Sequence, residues 1–145
     1  MRTQIPCSDY VETKGVIFFA RMLDKIRLHA MGLLPPDYNR GFSPPDCLDA
    51  RFCRYWEVDY DELVKKTLAA GGTDDEILDW CFQGRRPSDE RILFWNTFIT
   101  TRGWRDESSA ELQQVKEANG LANRDDIQTW VDFHDVDEGR QPKFT

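Results

Sequence analysis

The sequence predicts an all-α fold, a compact bundle of about five to six helices with a Pro-rich loop and at most one minor strand. Three observations predict it. Apolar residues recur at intervals of three and four, several segments open on a capping side chain and close on glycine, and no convincing apolar–polar alternation marks a sheet. At 145 residues the chain matches a single helical domain, residues 1–145, able to bury a core without disulfides or metals. Nine Phe, five Trp and four Tyr supply large contact areas for that core.

The first helix is expected from about Gly15 to Met31, where Val16, Phe19, Ala20, Leu23, Ile26 and Ala30 share a face and Gly32 ends the run. A helix this apolar is central, so Arg21, Asp24, Lys25 and Arg27 must share a narrow stripe or be paired. Pro35, Pro36, Pro44 and Pro45 then interrupt regular structure and predict an ordered loop crossing the core. Arg51 to Val58 is the one candidate strand. Asp59 with Glu62, and Thr73 with Glu76, read as capping boxes opening two helices that stop at Gly71-Gly72 and Gly84. Ser88 caps a third, with Ile92, Trp95, Phe98 and Ile99 on its buried face before Gly103. An acidic helical segment, about 106–140, completes the chain. It holds one helix near Ala110 to Asn119 and another from about Arg124 to Asp135, the latter with Asp125 and Asp126 at its N-terminus and Ile127, Trp130, Val131 and His134 on one face.

Charge and composition exclude several functions. Residues 1–105 carry 15 basic and 16 acidic side chains, whereas residues 106–145 carry four and ten, so most of the net charge of −7 lies at the C-terminal end. Duplex nucleic acid needs a clustered basic surface, so it is not expected as a partner. No run of 18 apolar residues and no signal-peptide pattern is present, which predicts a cytoplasmic protein with no membrane partner. Cys7, Cys47, Cys53 and Cys81 lack the close-spaced pairs of a zinc site and read as reduced thiols. The C-terminal acids do not fit a calcium loop, because aligning Gly139 to the loop's glycine puts His134 in the first ligand position. No phosphate-binding, nucleotide-binding or hydrolase motif occurs, so neither metal nor cofactor is expected.

The strings GVIFFARMLDKIRLHAMGLLP, VDYDELVKK, GGTDDEILDWCF, GRRPSDERILFWNTF, TRGW and DIQTWVDFHDVDEGR occur in that order. Together they resemble a family of small bacterial proteins classed as domain of unknown function 5069, over nearly the whole chain. The resemblance implies a free-standing, single-domain bacterial protein and carries no activity or site residue. His134 stands where an apolar residue is expected.

Two constellations carry chemistry. Arg85 and Arg86 precede Pro87 and the cap Ser88, so two guanidinium groups flank the free N–H groups of a helix start, an arrangement suited to phosphate or carboxylate. The plainer reading pairs these arginines with Asp79, Asp89, Glu90 or the acidic C-terminal segment. On the first helix Arg21, Lys25 and His29 are spaced by four. They are either intrahelical ion pairs with Asp24 or a polar stripe with His29 and Asp24 as acid–base groups. The five tryptophans are assigned mainly to packing, with an aromatic-lined pocket as the alternative.

The leading expectation is a non-catalytic module that recognises a small anionic ligand or a partner protein through Arg85, Arg86, Ser88, Arg21 and Lys25. The alternative is a small enzyme acting on an anionic metabolite, with an arginine clamp and His29 or Asp24 for proton transfer. A third reading makes a tryptophan-rich face the interface of a homodimer.

Overall fold

The computed structural model describes residues 4–144; the first three residues of the N-terminal segment searched for a signal peptide, and residue 145, lie outside it. The fold is mainly helical. A two-stranded antiparallel hairpin, β1 (Glu12–Thr13) and β2 (Val16–Ile17), precedes seven helices among the described residues. These are α1 (Phe19–Ala30), α2 (Leu48–Trp56), α3 (Tyr60–Leu68), α4 (Asp74–Cys81), α5 (Asp89–Thr101), α6 (Ser109–Ala118) and α7 (Trp130–Asp137).

The first helix begins later than its apolar spacing predicts, because Val16 and Ile17 belong to the hairpin. Lys14 and Gly15 both adopt left-handed backbone, φ 50° and 84°, as a two-residue hairpin turn requires. Helix α5 finishes the hairpin's exposed edge. Asn96 accepts from the Ile17 N–H at 3.2 Å and donates to the Gly15 carbonyl at 2.9 Å, while Trp95 Nε1 donates to the Ile17 carbonyl at 3.1 Å.

The proposed strand is a correction: Arg51 to Val58 falls largely in α2. Residues 49, 52, 53 and 56 are buried, a helical period, and the aromatic and cysteine side chains between Phe52 and Trp56 only imitate strand composition. The caps at Asp59, Thr73 and Ser88 form, each side chain accepting from the backbone N–H three residues on, but the reciprocal half of the box expected at Asp59 and Thr73 does not: the Glu62 side chain meets Lys65 and that of Glu76 meets the Thr73 hydroxyl. The return helix does not start at Arg124. Its cap is Thr129, in a reciprocal box with Asp132, and Asp126 instead pairs with Arg124 in the preceding turn.

Helix α1 is central. Phe19, Met22, Leu23 and Ile26 pack with Phe52, Leu63, Ile77, Leu78, Trp95 and Ile99 in the main core, and a smaller cluster of Leu112, Ile127 and Phe133 joins α6 to α7. Gly103 allows that junction, since a Cβ there would lie 2.9 Å from Leu112 and 3.1 Å from Trp130. Trp56 and Trp95 are buried, Trp130 is half-buried, and Trp80 and Trp104 are exposed, so spacing alone misplaced Trp80. No helix among the described residues is long and apolar enough to cross a membrane.

Phe52 is fully buried, stacked on Phe19 at 5.4 Å and edge-on to Trp95 at 5.3 Å. Phe52→Ala is expected to cost about 3–5 kcal/mol. Urea unfolding monitored by tryptophan fluorescence measures it, as a lower midpoint with an unchanged slope.

Candidate functional site

The site grows out of an anomaly in α1: two cations on a helix that is apolar almost all round. Arg21 and Lys25, one turn apart, are 3% and 5% exposed. They do not pair along the helix, where only Arg27 meets Asp24, at 3.9 Å. Arg21 instead forks onto Glu138 beyond α7, at 2.8 and 2.7 Å, and also donates to the Cys7 carbonyl at 3.1 Å. The Lys25 ammonium forms an ion pair with Asp49 of α2 at 2.7 Å and donates to the Asn39 carbonyl at 2.8 Å. The intrahelical ion-pair stripe is therefore corrected for both residues: a buried cation needs a partner held in fixed geometry, and these partners come from other segments.

Behind Arg21 lies Asp9, fully buried in the segment before the hairpin. Its carbonyl accepts from the Phe18 N–H at 2.9 Å, and Phe18 itself, buried at the start of α1, holds a left-handed φ of 75°. One oxygen of Asp9 meets His134 Nδ1 at 2.9 Å. The other has no hydrogen-bond donor among the described residues and lies 3.7 Å from Arg21 Nε. Burial pushes the Asp9 carboxyl up, but His134 and Arg21 outweigh it and hold the group below the ordinary carboxylate range. Glu138 behaves alike: burial raises it, and the hydrogen bonds and charge of Arg21 bring it down further.

Four of the residues above, Arg21, Lys25, His134 and Glu138, line a cavity of about 290 Å³ whose walls also include Tyr38, Arg102 and Trp130. The Pro-rich loop forms one wall instead of crossing the core, with the Tyr38 hydroxyl donating to Glu138 at 2.8 Å. Asp37, Asp46, Glu111 and Asp137, all exposed, stand around the mouth. The volume is at the lower end for small-molecule pockets.

Of the residues singled out from sequence, Arg21 and Lys25 share this cavity. His29 is exposed in the last turn of α1, and Asp24 accepts from the Cys7 N–H at 3.0 Å; neither lines it. Arg85, Arg86 and Ser88 are exposed and also lie outside its lining. Arg86 donates to the Lys14 carbonyl at 2.9 Å and so secures the hairpin turn, while Asp79 pairs with Lys14. Sequence reasoning did not select Asp9, Tyr38, Arg102, His134 or Glu138. The one available signal was His134, a polar residue on the apolar face of α7.

A family model described as Domain of unknown function (DUF5069) matches residues 3–140 of the chain. The protein belongs to the DUF5069 family. No curated protein matches it. The DUF5069 match spans the whole charged cluster, from Asp9 to Arg140.

Two expectations follow for this DUF5069 protein. Arg21→Ala removes the buried fork on Glu138 and the cation beside Asp9, leaving Glu138 to Arg140 and Tyr38 and Asp9 to His134, and is expected to destabilise the fold by about 3 kcal/mol, measured by chemical denaturation at neutral pH. The folded Asp9 and Glu138 carboxyls are depressed, so their contribution is complete above the unfolded values of 3.8 and 4.5 and is lost as pH falls through the folded ones. Stability should drop on acidification below about pH 4.5, and more shallowly in Asp9→Asn, as thermal midpoints across the acid range will show.

Proposed function

We propose that this domain binds a small ligand in the α1–α7 cavity and holds its anionic or hydrogen-bonding head against Lys25, Arg102 and His134. The observation that supports the reading is the convergence of Arg21, Lys25 and His134, from opposite ends of the chain, on one cavity. Buried ion pairs add little net stability compared with apolar residues of similar volume, so a buried charged network opening onto a cavity is better explained by recognition than by folding. The four carboxylates at the mouth argue against polyanions, as does the net charge of −7. A compact ligand with one acidic or strongly polar head fits both the volume and the charge. The four free cysteines accord with a reducing cytoplasm, which belongs to the same reading.

The test is a two-dimensional NMR titration with inorganic phosphate, acetate and a series of mono- and dicarboxylates. Shifts are expected at Lys25, Tyr38 and His134. Arg102→Met should weaken binding about tenfold, the scale of one charge-assisted hydrogen bond, because Arg102 otherwise pairs only with Asp106 and the exposed Glu107. Arg85→Ala with Arg86→Ala should leave affinity unchanged. Shifts confined to the Ser88 helix start, or none at millimolar ligand, would refute the assignment.

A further inference from the structure

We infer that His134 transfers a proton to and from the ligand of this cavity, which makes the domain an enzyme and not only a binder. The inference rests on the binding reading above and adds chemistry to it.

Three observations carry it beyond an ordinary ion pair. His134 stands in the cavity wall with its side chain 26% exposed, and Nε2 has no hydrogen-bond partner among the described residues. Nδ1 is tied to Asp9; with the proton on Nδ1 donated to that carboxylate, a neutral ring carries its lone pair on Nε2. The one side-chain hydrogen bond Asp9 makes among the described residues is this one, with the Arg21 guanidinium 3.7 Å from its other oxygen. Asp9 is completely buried, yet that second oxygen lacks a donor, whereas a carboxylate placed for stability ordinarily satisfies both. Finally, the backbone that grips Asp9 is strained. Phe18 donates to the Asp9 carbonyl from a left-handed conformation that a bulky residue rarely adopts, and such strain gathers where geometry serves a site.

The fitting substrate is a small acid or phosphate bearing an ionisable O–H, S–H or activated C–H. Nε2 takes that hydrogen as a proton, the electron pair of the broken bond stays on the substrate, and the imidazolium is stabilised by Asp9. Return of the proton to another substrate atom, or to water, resets the ring, and no oxidant or reductant enters. Trp130 and Phe133 flank the imidazole, with ring centres 6.5 and 6.4 Å from it. Asp9 is a positioning residue.

The protein has two histidines, so each serves as a control for the other. The probe is p-nitrophenyl acetate: Nε2 takes a proton from a water whose oxygen adds to the acetyl carbon, p-nitrophenolate leaves, and the imidazolium gives its proton to solvent, so that acetate, p-nitrophenolate and two protons are the products, with a solvent deuterium isotope effect on the rate as the sign of proton transfer. His29→Gln is expected to retain the full rate, and His134→Gln to lose about tenfold or more. Asp9→Asn should lower the rate and, by 15N NMR, replace the single Nδ1-protonated tautomer of His134 with a mixture. If His134→Gln hydrolyses the ester as fast as the parent protein, or if the Asp9→Asn protein keeps both rate and tautomer, the inference fails. Carboxylate or phosphate titrating at His134 beside an inert imidazole would overturn catalysis and leave binding intact. Loss of both would remove both.

Discussion

The Arg21 guanidinium is the contact on which the site's construction depends. It sits on the central helix and binds the Cys7 carbonyl, lies near Asp9 and forks onto Glu138, so the beginning and end of the chain meet at one side chain. Arg140 repeats the tie from the other direction, donating to Glu138 and to the Pro6 carbonyl. The main core does not include the segments before Tyr10 or beyond α7. Charge therefore ties these terminal segments to the cavity, whose apolar wall residues Phe18 and Phe133 belong to the packed clusters. A buried ion with several partners permits one geometry and penalises loss of any partner, which is a property a site needs and a core does not.

Hydrophobic packing supplies the frame against which this arrangement works. Trp95 and Asn96 of α5 accept and donate to the hairpin, the hairpin reverses the chain between Asp9 and α1, and the strained Phe18 closes the join. The position of Asp9 is thus fixed by residues some ninety positions away in sequence, through α5, as well as by its neighbours on α1. Lys25 does the same for the Pro-rich loop. Its ammonium binds the Asn39 carbonyl and Asp49 together, bringing the loop and α2 to the same side of α1.

Local rules made most helices legible, because caps, glycine stops and apolar spacing act within a few residues. Asp59, Thr73 and Ser88 needed no tertiary information. The errors occur where a short-range pattern admits two answers. Val16 to Phe18 satisfies a helical face and a strand equally, and a partner on α5 decided between them. In α2 the aromatic content outweighed a sound helical period. The site was legible in part: Arg21 and Lys25 were marked by being charged on an apolar helix, but their partners lie 12 to 117 positions away and no spacing rule reaches that far. Asp9 lies in an irregular segment without any periodic signal.

The acidic C-terminal segment shows how the same composition serves two ends. Asp132 caps α7 and accepts from the backbone N–H groups of Gln128 and Thr129, Asp135 accepts from Ser8, and Glu138 receives Arg21; all three are withdrawn from solvent. What remains outside is a subset, including Asp137, which joins Asp37, Asp46 and Glu111 at the cavity mouth. Inside, Arg21, Lys25 and Arg102 already face carboxylates at 2.7 Å. A ligand entering past four like charges to reach cations so well matched gains little from bulk electrostatic attraction. Its selection must come from directional hydrogen bonds in the cavity wall, where Lys25, Arg102 and the unpartnered Nε2 of His134 stand, and this is why a compact polar head, not a large charge, defines what the cleft accepts.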